Sequence, residues 1–248
     1  MDLSFTIFIG LIIGCLIMVV GGGGGSFYLG IMTTLFGLGA ATAASTSLVT
    51  SLPPLLIGAI SYYRQRKINL KIGLKMLLYS IPAVIIGSIL AHYIPSQIYS
   101  VIIGIILLAL GIQLVYKAAT KNKKKNDNKK NNEFMPVLFG SLGGLMCGIS
   151  GLSGGGPIMS GLLFMGLDFA DAAATSTFTL MGMIFIGLLG HLNQNIAWGD
   201  GVGLMIGALI GAFIMPIILS HLNQAKVNRY MTPILGILLV FMGLKNFI

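Results

Sequence analysis

From Leu3 onward the chain is a succession of apolar runs, many of them near or above the roughly 18 residues that carry a helix across a bilayer. They cover about 3–20, 27–38, 40–63, 72–93 and 97–116, then 135–149, 157–167, 170–190, 201–220 and 230–247. No soluble core absorbs so many. Charged residues make up 8% of the chain and hydrophobic ones 56%, against about 25% charged in a soluble domain. The expected class is an all-α polytopic membrane protein. Two of the runs, 27–38 and 157–167, are too short to span. Each directly follows a glycine cluster, VVGGGGGSF at 19–27 and ISGLSGGGP at 149–157.

Those clusters are costly. Each glycine in a helix interior costs about 1 kcal/mol relative to alanine, and the bilayer supplies no water to the backbone groups that a break exposes. Their recurrence argues for a use. Gly24-Gly25-Ser26 corresponds to Gly155-Gly156-Pro157, and AASTSLVT at 43–50 corresponds to AATSTFTL at 173–180. Gly104 and Gly111 recur as Gly236 and Gly243. The chain divides into a first repeat (1–117), a lysine- and asparagine-rich linker (118–134) and a second repeat (135–248). Each repeat holds about five apolar segments, the second of them a half-membrane helix after the glycine break.

Charge supplies orientation. The first-half loop RQRKINLK at 64–71 is basic, and its counterpart HLNQNIAWGD at 191–200 has no Lys or Arg. The next loop reverses the sign: AHYIPSQ at 91–97 lacks them, while HLNQAKVNR at 221–229 carries Lys226 and Arg229. Short basic loops stay in the cytoplasm, so the two repeats are expected to be inverted. The linker then lies inside and both termini outside, in the cytoplasmic membrane. Asp2, and the absence of Lys and Arg before Arg64, agree; Lys245 is a minor argument against.

The net charge of +9 does not signal nucleic acid. Seven of the fifteen basic residues fall in KAATKNKKKNDNKK at 117–130, which reads as a solvated loop near lipid head groups. Cys15 and Cys147 lie in apolar runs with no metal-ligand spacing and read as small packing residues. No metal or cofactor motif is present. Asp168 reads as a helix N-cap, and His92, His191 and His221 fall near segment ends. The glycines lack the Lys-Ser/Thr of a P-loop and the strand context of a dinucleotide fingerprint. An enzyme is therefore the weaker reading. Gly199, Gly203, Gly207 and Gly211, and likewise Gly140, Gly144 and Gly148, are spaced to let helix backbones approach closely.

Transport of an anion uses the breaks better. A helix N-terminus exposes unpaired N–H groups and partial positive charge. Short helices beginning at Ser26 and Pro157, related by inversion, would meet near the midplane and hold an anion without a buried cation. Candidate ligands are Gly24, Gly25 and Ser26 of the first break, and Ser150, Ser153, Gly154, Gly155, Gly156 and Pro157 of the second. Thr46, Ser47, Thr175 and Ser176 join them, as hydroxyls repeated at a similar distance from each break; back-bonding to their own helices is the competing role. His191 is the candidate proton carrier, since imidazole titrates near neutrality. A coupling proton or ion, membrane lipid and a second copy of the chain complete the expected partners.

SGLSGGGPIM at 150–159, VVGGGGGSFYLGIM at 19–32 and the Thr-Ser sites after each resemble the TauE/SafE sulfite-exporter family, also called the toluene sulfonate uptake permeases. HLNQNIAW at 191–198 is similar to that family's His-x-x-x-(Gly)-x-Ile-x-Trp stretch. The first copy departs from the pattern, with Ser26-Phe27 where proline is common in the family. The resemblance covers nearly the whole chain. It implies passage of small sulfur-containing anions, such as sulfite or sulfonates, across the cytoplasmic membrane.

Overall fold

The computed structural model describes residues 3–20, 24–119, 134–191 and 195–221, with 233, 236, 237, 240, 241, 243 and 244 of the final segment. The elements are α1 (Leu3–Val20), α2 (Gly25–Thr34), α3 (Ala40–Arg64), α4 (Leu70–Tyr93), α5 (Ser96–Ala119), α6 (Phe134–Ser150), α7 (Gly155–Phe164), α8 (Phe169–Gly190) and α9 (Trp198–His221). All are helical, in near agreement with the apolar runs. Residues 40–64, 70–91, 170–190 and 201–218 form helices long and apolar enough to cross a membrane. The ten-residue helices α2 and α7 reach about 15 Å, half of the hydrocarbon core. The lysine-rich stretch 120–133, the loop 222–229 and Gly21–Gly23 lie outside the described residues.

The helices pack in exchanged pairs. α1 packs on α9 as α6 packs on α4, α3 on α9 as α8 on α4, and α2 on α3 as α7 on α8. Swapping the two halves exchanges the members of these pairs, although α7 also packs on α6 with no equally extensive contact of α2 with α1, and α3 packs against α8. Corresponding helices run antiparallel. Leu48 near the start of α3 approaches Gly187 near the end of α8, while Gly58 further along α3 approaches Thr177. Gly111 of α5 packs against Gly236, and Gly104 against Gly243.

Small residues make this packing close. A Cβ at Gly211 would stand 2.6 Å from the Leu11 carbonyl oxygen, and one at Gly144 2.5 Å from that of Ser80. Gly10 and Gly14 of α1 and Gly203 and Gly207 of α9 are equally crowded, as are Gly140 and Gly148 against α4. The four-residue spacing correctly marks faces of close approach. Gly199 departs from this expectation: nothing lies within 4 Å of a Cβ there, because α9 has only just begun and α1 does not reach it.

Asp168 is the N-cap of α8, but its side chain makes no capping hydrogen bond. Asn69 does cap α4, its side chain accepting from the Ile72 amide at 3.2 Å. The Tyr62 hydroxyl donates to the Met18 carbonyl at 3.0 Å and pins the end of α1 to α3.

Candidate functional site

Both short helices start on glycine in the left-handed region. Gly24 has φ 53° and ψ −13°, and Gly154 has φ 64° and ψ 13°. Side chains other than glycine pay for that conformation, so these two glycines turn the chain where no other residue fits cheaply. The paired N-caps shift the repeat register by one: Gly24 corresponds to Gly154, not Gly155. The helices also begin at Gly25 and Gly155, before Ser26 and Pro157. Pro157 is the third residue of α7, still within the first turn, where its missing N–H costs no intrahelical bond.

The breaks meet. The Gly25 amide donates to Ser153 Oγ at 3.2 Å, and a Cβ at Gly25 would lie 2.5 Å from the Ser153 backbone nitrogen. The Ser47 hydroxyl donates to the Gly151 carbonyl at 2.9 Å, and Gly151 itself lies against Ala44. Gly25, between Gly24 and Ser26 in one break, thus stands against Ser153, next to Gly154 in the other, and all five, with Ser47, are buried. Gly155 is buried, and Gly156 and Pro157 are half-buried. Neither Gly155 nor Gly156 has an intrahelical acceptor for its N–H, as at any helix start.

The other hydroxyls divide by role. Thr46 Oγ1 donates to the Thr42 carbonyl at 2.6 Å and accepts from the Ala197 amide at 3.0 Å. Thr175 Oγ1 accepts from the Asn69 amide at 3.0 Å. One turn on, Thr50 and Thr179 donate to the carbonyls of Gly201 and Gly73 at 3.5 and 3.3 Å. Each threonine pair clamps the incoming end of a long helix of the other half, α9 in one case and α4 in the other. Ser150 donates back to the Met146 carbonyl at 2.8 Å within α6. These clamps set the register of the hydroxyls: Thr46 answers to Thr175 and Ser47 to Ser176, one residue off the alignment by eye. The Thr-x-x-x-Thr spacing in both halves is the signal that would have found Thr50 and Thr179.

Ser176 differs from Ser47. It is fully buried, and its Oγ has no hydrogen-bond partner among the described residues. The Tyr28 hydroxyl in α2 is in the same condition, a feature that nothing in the sequence announced. His191 is fully buried as the C-cap of α8, with Nδ1 2.8 Å from the Gly187 carbonyl oxygen, rather than in a polar loop. Leu192, Asn193 and Gln194 lie outside the described residues. Cys147 is buried with Sγ 3.8 Å from the Met183 carbonyl oxygen, as a packing residue. No cluster of His, Cys, Asp or Glu suited to a metal occurs among the described residues.

Two glycine-broken half-helices thus touch at their starts among helices of membrane length. The model of the family described as Sulfite exporter TauE/SafE matches residues 6–246. The chain belongs to this family. It is 25% identical to a probable membrane transporter protein, YdhB, of Bacillus subtilis (strain 168), over 93% of this chain and 97% of that one. It is 26% identical to the probable membrane transporter protein MJ0441 of Methanocaldococcus jannaschii, over 97% of this chain and 95% of the other. A shorter match, 26% over 68% of this chain and 67% of the relative, is to an undecaprenyl-diphosphatase of Acinetobacter baumannii. The family and the full-length relatives make this TauE/SafE protein a multi-pass membrane transporter.

Proposed function

We propose that the protein is a secondary permease that moves a small sulfur-containing anion, sulfite or a sulfonate, across the cytoplasmic membrane. The observation that carries this reading is the meeting of the two breaks, Gly25 against Ser153. Two helix N-termini converge there inside the bundle, and their amides suit an anion without a cation. The family's name supplies the sulfur chemistry. Gly24, Gly25, Ser26, Ser153, Gly154, Gly155, Gly156 and Pro157 form the cradle. Ser47 holds the second break in place, while Thr46, Thr175 and Ser150 frame it. His191 stands at the C-terminal end of α8, about 22 Å along it from Ser176 at 1.5 Å per residue, and we assign it the coupling proton. The halves, 1–117 and 135–248, form inverted repeats on either side of the cytoplasmic linker.

With Gly25 packed on Ser153, an anion enters only when the two breaks part. That favours a carrier over a standing pore. Purified protein in liposomes is expected to take up sulfite or a small sulfonate, and to be accelerated by the same anion on the far side. Flux without such counterflow acceleration would favour an anion channel. Gly155→Val places a branched side chain on the first turn of α7 and is expected to stop flux in a protein that still elutes as a single species. Normal flux in that variant would overturn the cradle.

A further inference from the structure

We propose that the transport cycle bends α3 and not α8: residues 40–50 swing on Pro53 and Pro54 away from the start of α9, and that swing parts the two breaks. This rests on the permease reading above and specifies which part of the molecule moves. Two independent observations carry it, and a third links the bend to the breaks.

The first is a proline pair. α3 carries Pro53 and Pro54 in its interior. In the register of the clamps, where Thr46 and Thr50 answer to Thr175 and Thr179, α8 has Gly182 and Met183 at those places. Proline has no N–H for the carbonyl four residues before it, and its ring crowds that carbonyl. The carbonyls of Val49 and Thr50 therefore lose their helical donors, and α3 has a hinge just beyond its clamp on α9. α8 has no proline and keeps its donors. At Gly182 it closes on α4 instead, where a Cβ would stand 2.7 Å from Leu77 Cδ2.

The second is a packing gap. A cavity of about 10 Å³ lies between α3 and α9, lined by Val49, Thr50, Trp198, Gly201 and Met205. It is too small for a substrate but enough to loosen the seam. In the other half Phe178 answers to Val49, and its Cδ1 stands 3.0 Å from a Cβ built at Gly73. A Cβ at Gly201, the counterpart of Gly73, meets Thr46 and Thr50 and no atom of Val49 within 4 Å. Opening a seam with a gap gives up less dispersion energy than opening a filled one. Of the two clamps, the one on α9 therefore gives, and α8 with α4 moves as one body.

The same half of α3 grips the second break. The Ser47 hydroxyl donates to the Gly151 carbonyl at 2.9 Å, and Gly151 packs on Ala44. Two residues on, Ser153 Oγ accepts from the Gly25 amide. A swing of residues 40–50 breaks the Thr46–Ala197 and Thr50–Gly201 bonds, carries Gly151 with it and draws Ser153 off Gly25. Ser176, which answers to Ser47, has no hydrogen-bond partner among the described residues, so its hydroxyl ties α8 to neither break.

Two kinds of variant test the bend, with flux of sulfite and of methanesulfonate into proteoliposomes as the measurement. Pro53→Ala with Pro54→Ala returns two N–H donors to α3. Thermal stability should hold or rise, while maximal flux of whichever probe is carried should fall about tenfold or more, because each bend then breaks two further hydrogen bonds. Thr50→Cys with Gly201→Cys allows a disulfide across the α9 seam, since Thr50 Oγ1 stands 3.2 Å from a Cβ at Gly201. Oxidation should stop methanesulfonate flux and reduction restore it; sulfite itself cleaves disulfides and is left out of this arm. The counterpart lock, Thr179→Cys with Gly73→Cys, should leave most of the flux, and the oxidised wild-type chain controls for Cys15 and Cys147. Wild-type flux in the proline variant, undiminished flux in the chain locked between 50 and 201, or equal arrest by both locks would overturn the proposal and leave the permease reading standing. Absence of flux for both probes in the wild-type chain would instead overturn the permease reading itself.

Discussion

At the scale of single residues, the same hydroxyl has opposite meanings in the two halves. Ser47 donates to Gly151 as well as back to Ala44 at 2.8 Å, so Ser47→Ala strands a buried carbonyl and is expected to cost about 1 kcal/mol. Ser176→Ala removes a hydroxyl that has no hydrogen-bond partner among the described residues and is expected to leave stability unchanged or slightly raised. Thermal unfolding of both variants in detergent, without substrate, reads the difference; equal losses would contradict the assigned roles. The glycines separate in the same way. Gly154 and Gly166 both have positive φ, 64° and 85°, but a Cβ at Gly154 meets the Gly143 backbone while one at Gly166 meets nothing within 4 Å. Gly166→Ala should therefore cost only the backbone term, about 1 kcal/mol. Gly154→Ala adds a steric clash to that term and should be the more damaging substitution by the same measurement. Position alone did not make these distinctions legible. Aligned by sequence, Ser176 falls against Thr46; only the threonine clamps match it to Ser47, and only the hydrogen-bond partner then tells the two serines apart.

At the scale of elements, much could be read in advance, because apolar run length and helix length report the same physics. The runs 3–20 and 40–63 became α1 and α3 almost residue for residue. The glycine faces were legible too, since residues four apart share a helix face; their partners were not, because nothing in Gly203-x-x-x-Gly207 names α1. Nor was the limit of the face, and Gly199 falls beyond it. The consequence is a sharp contrast within one helix. Gly207→Val drives a branched side chain into the α1 backbone near Leu11 and should cost roughly 1–3 kcal/mol or more, as overpacking does. Gly199→Val, in open space, should stay within about 0.5 kcal/mol. A melting series over positions 199, 203, 207 and 211 tests this; a large loss at 199 would mean that the face extends further. The alignment of the halves was the least legible feature at this scale. Identity between them is so weak that a slip by one residue is invisible until the left-handed N-caps and the threonine clamps fix the frame.

At the scale of the whole molecule, helix directions tell which chain ends share a side, and loop charge supplies the side. α1 and α9 run parallel, since Gly203 lies by Thr6 and Gly211 by Leu11 and Cys15. The N-terminus of α1 therefore lies on the same side as the start of α9, which leaves the loop 191–200 that has no Lys or Arg. By the distribution of basic loops that side is expected to be outside. The final segment packs antiparallel on α5 through Gly236 and Gly243. α5 begins at the loop 91–97, also without Lys or Arg, so the C-terminus is expected to return to the outer face. Helix packing tells which ends share a side and loop charge assigns that side; together they predict the basic loop 64–71 and the lysine-rich linker inside and both termini outside. A reporter active only in the cytoplasm should be silent when fused before Met1 or after Ile248 and active when inserted near Asn126. An active N-terminal fusion would require α1 and α9 to be turned over together.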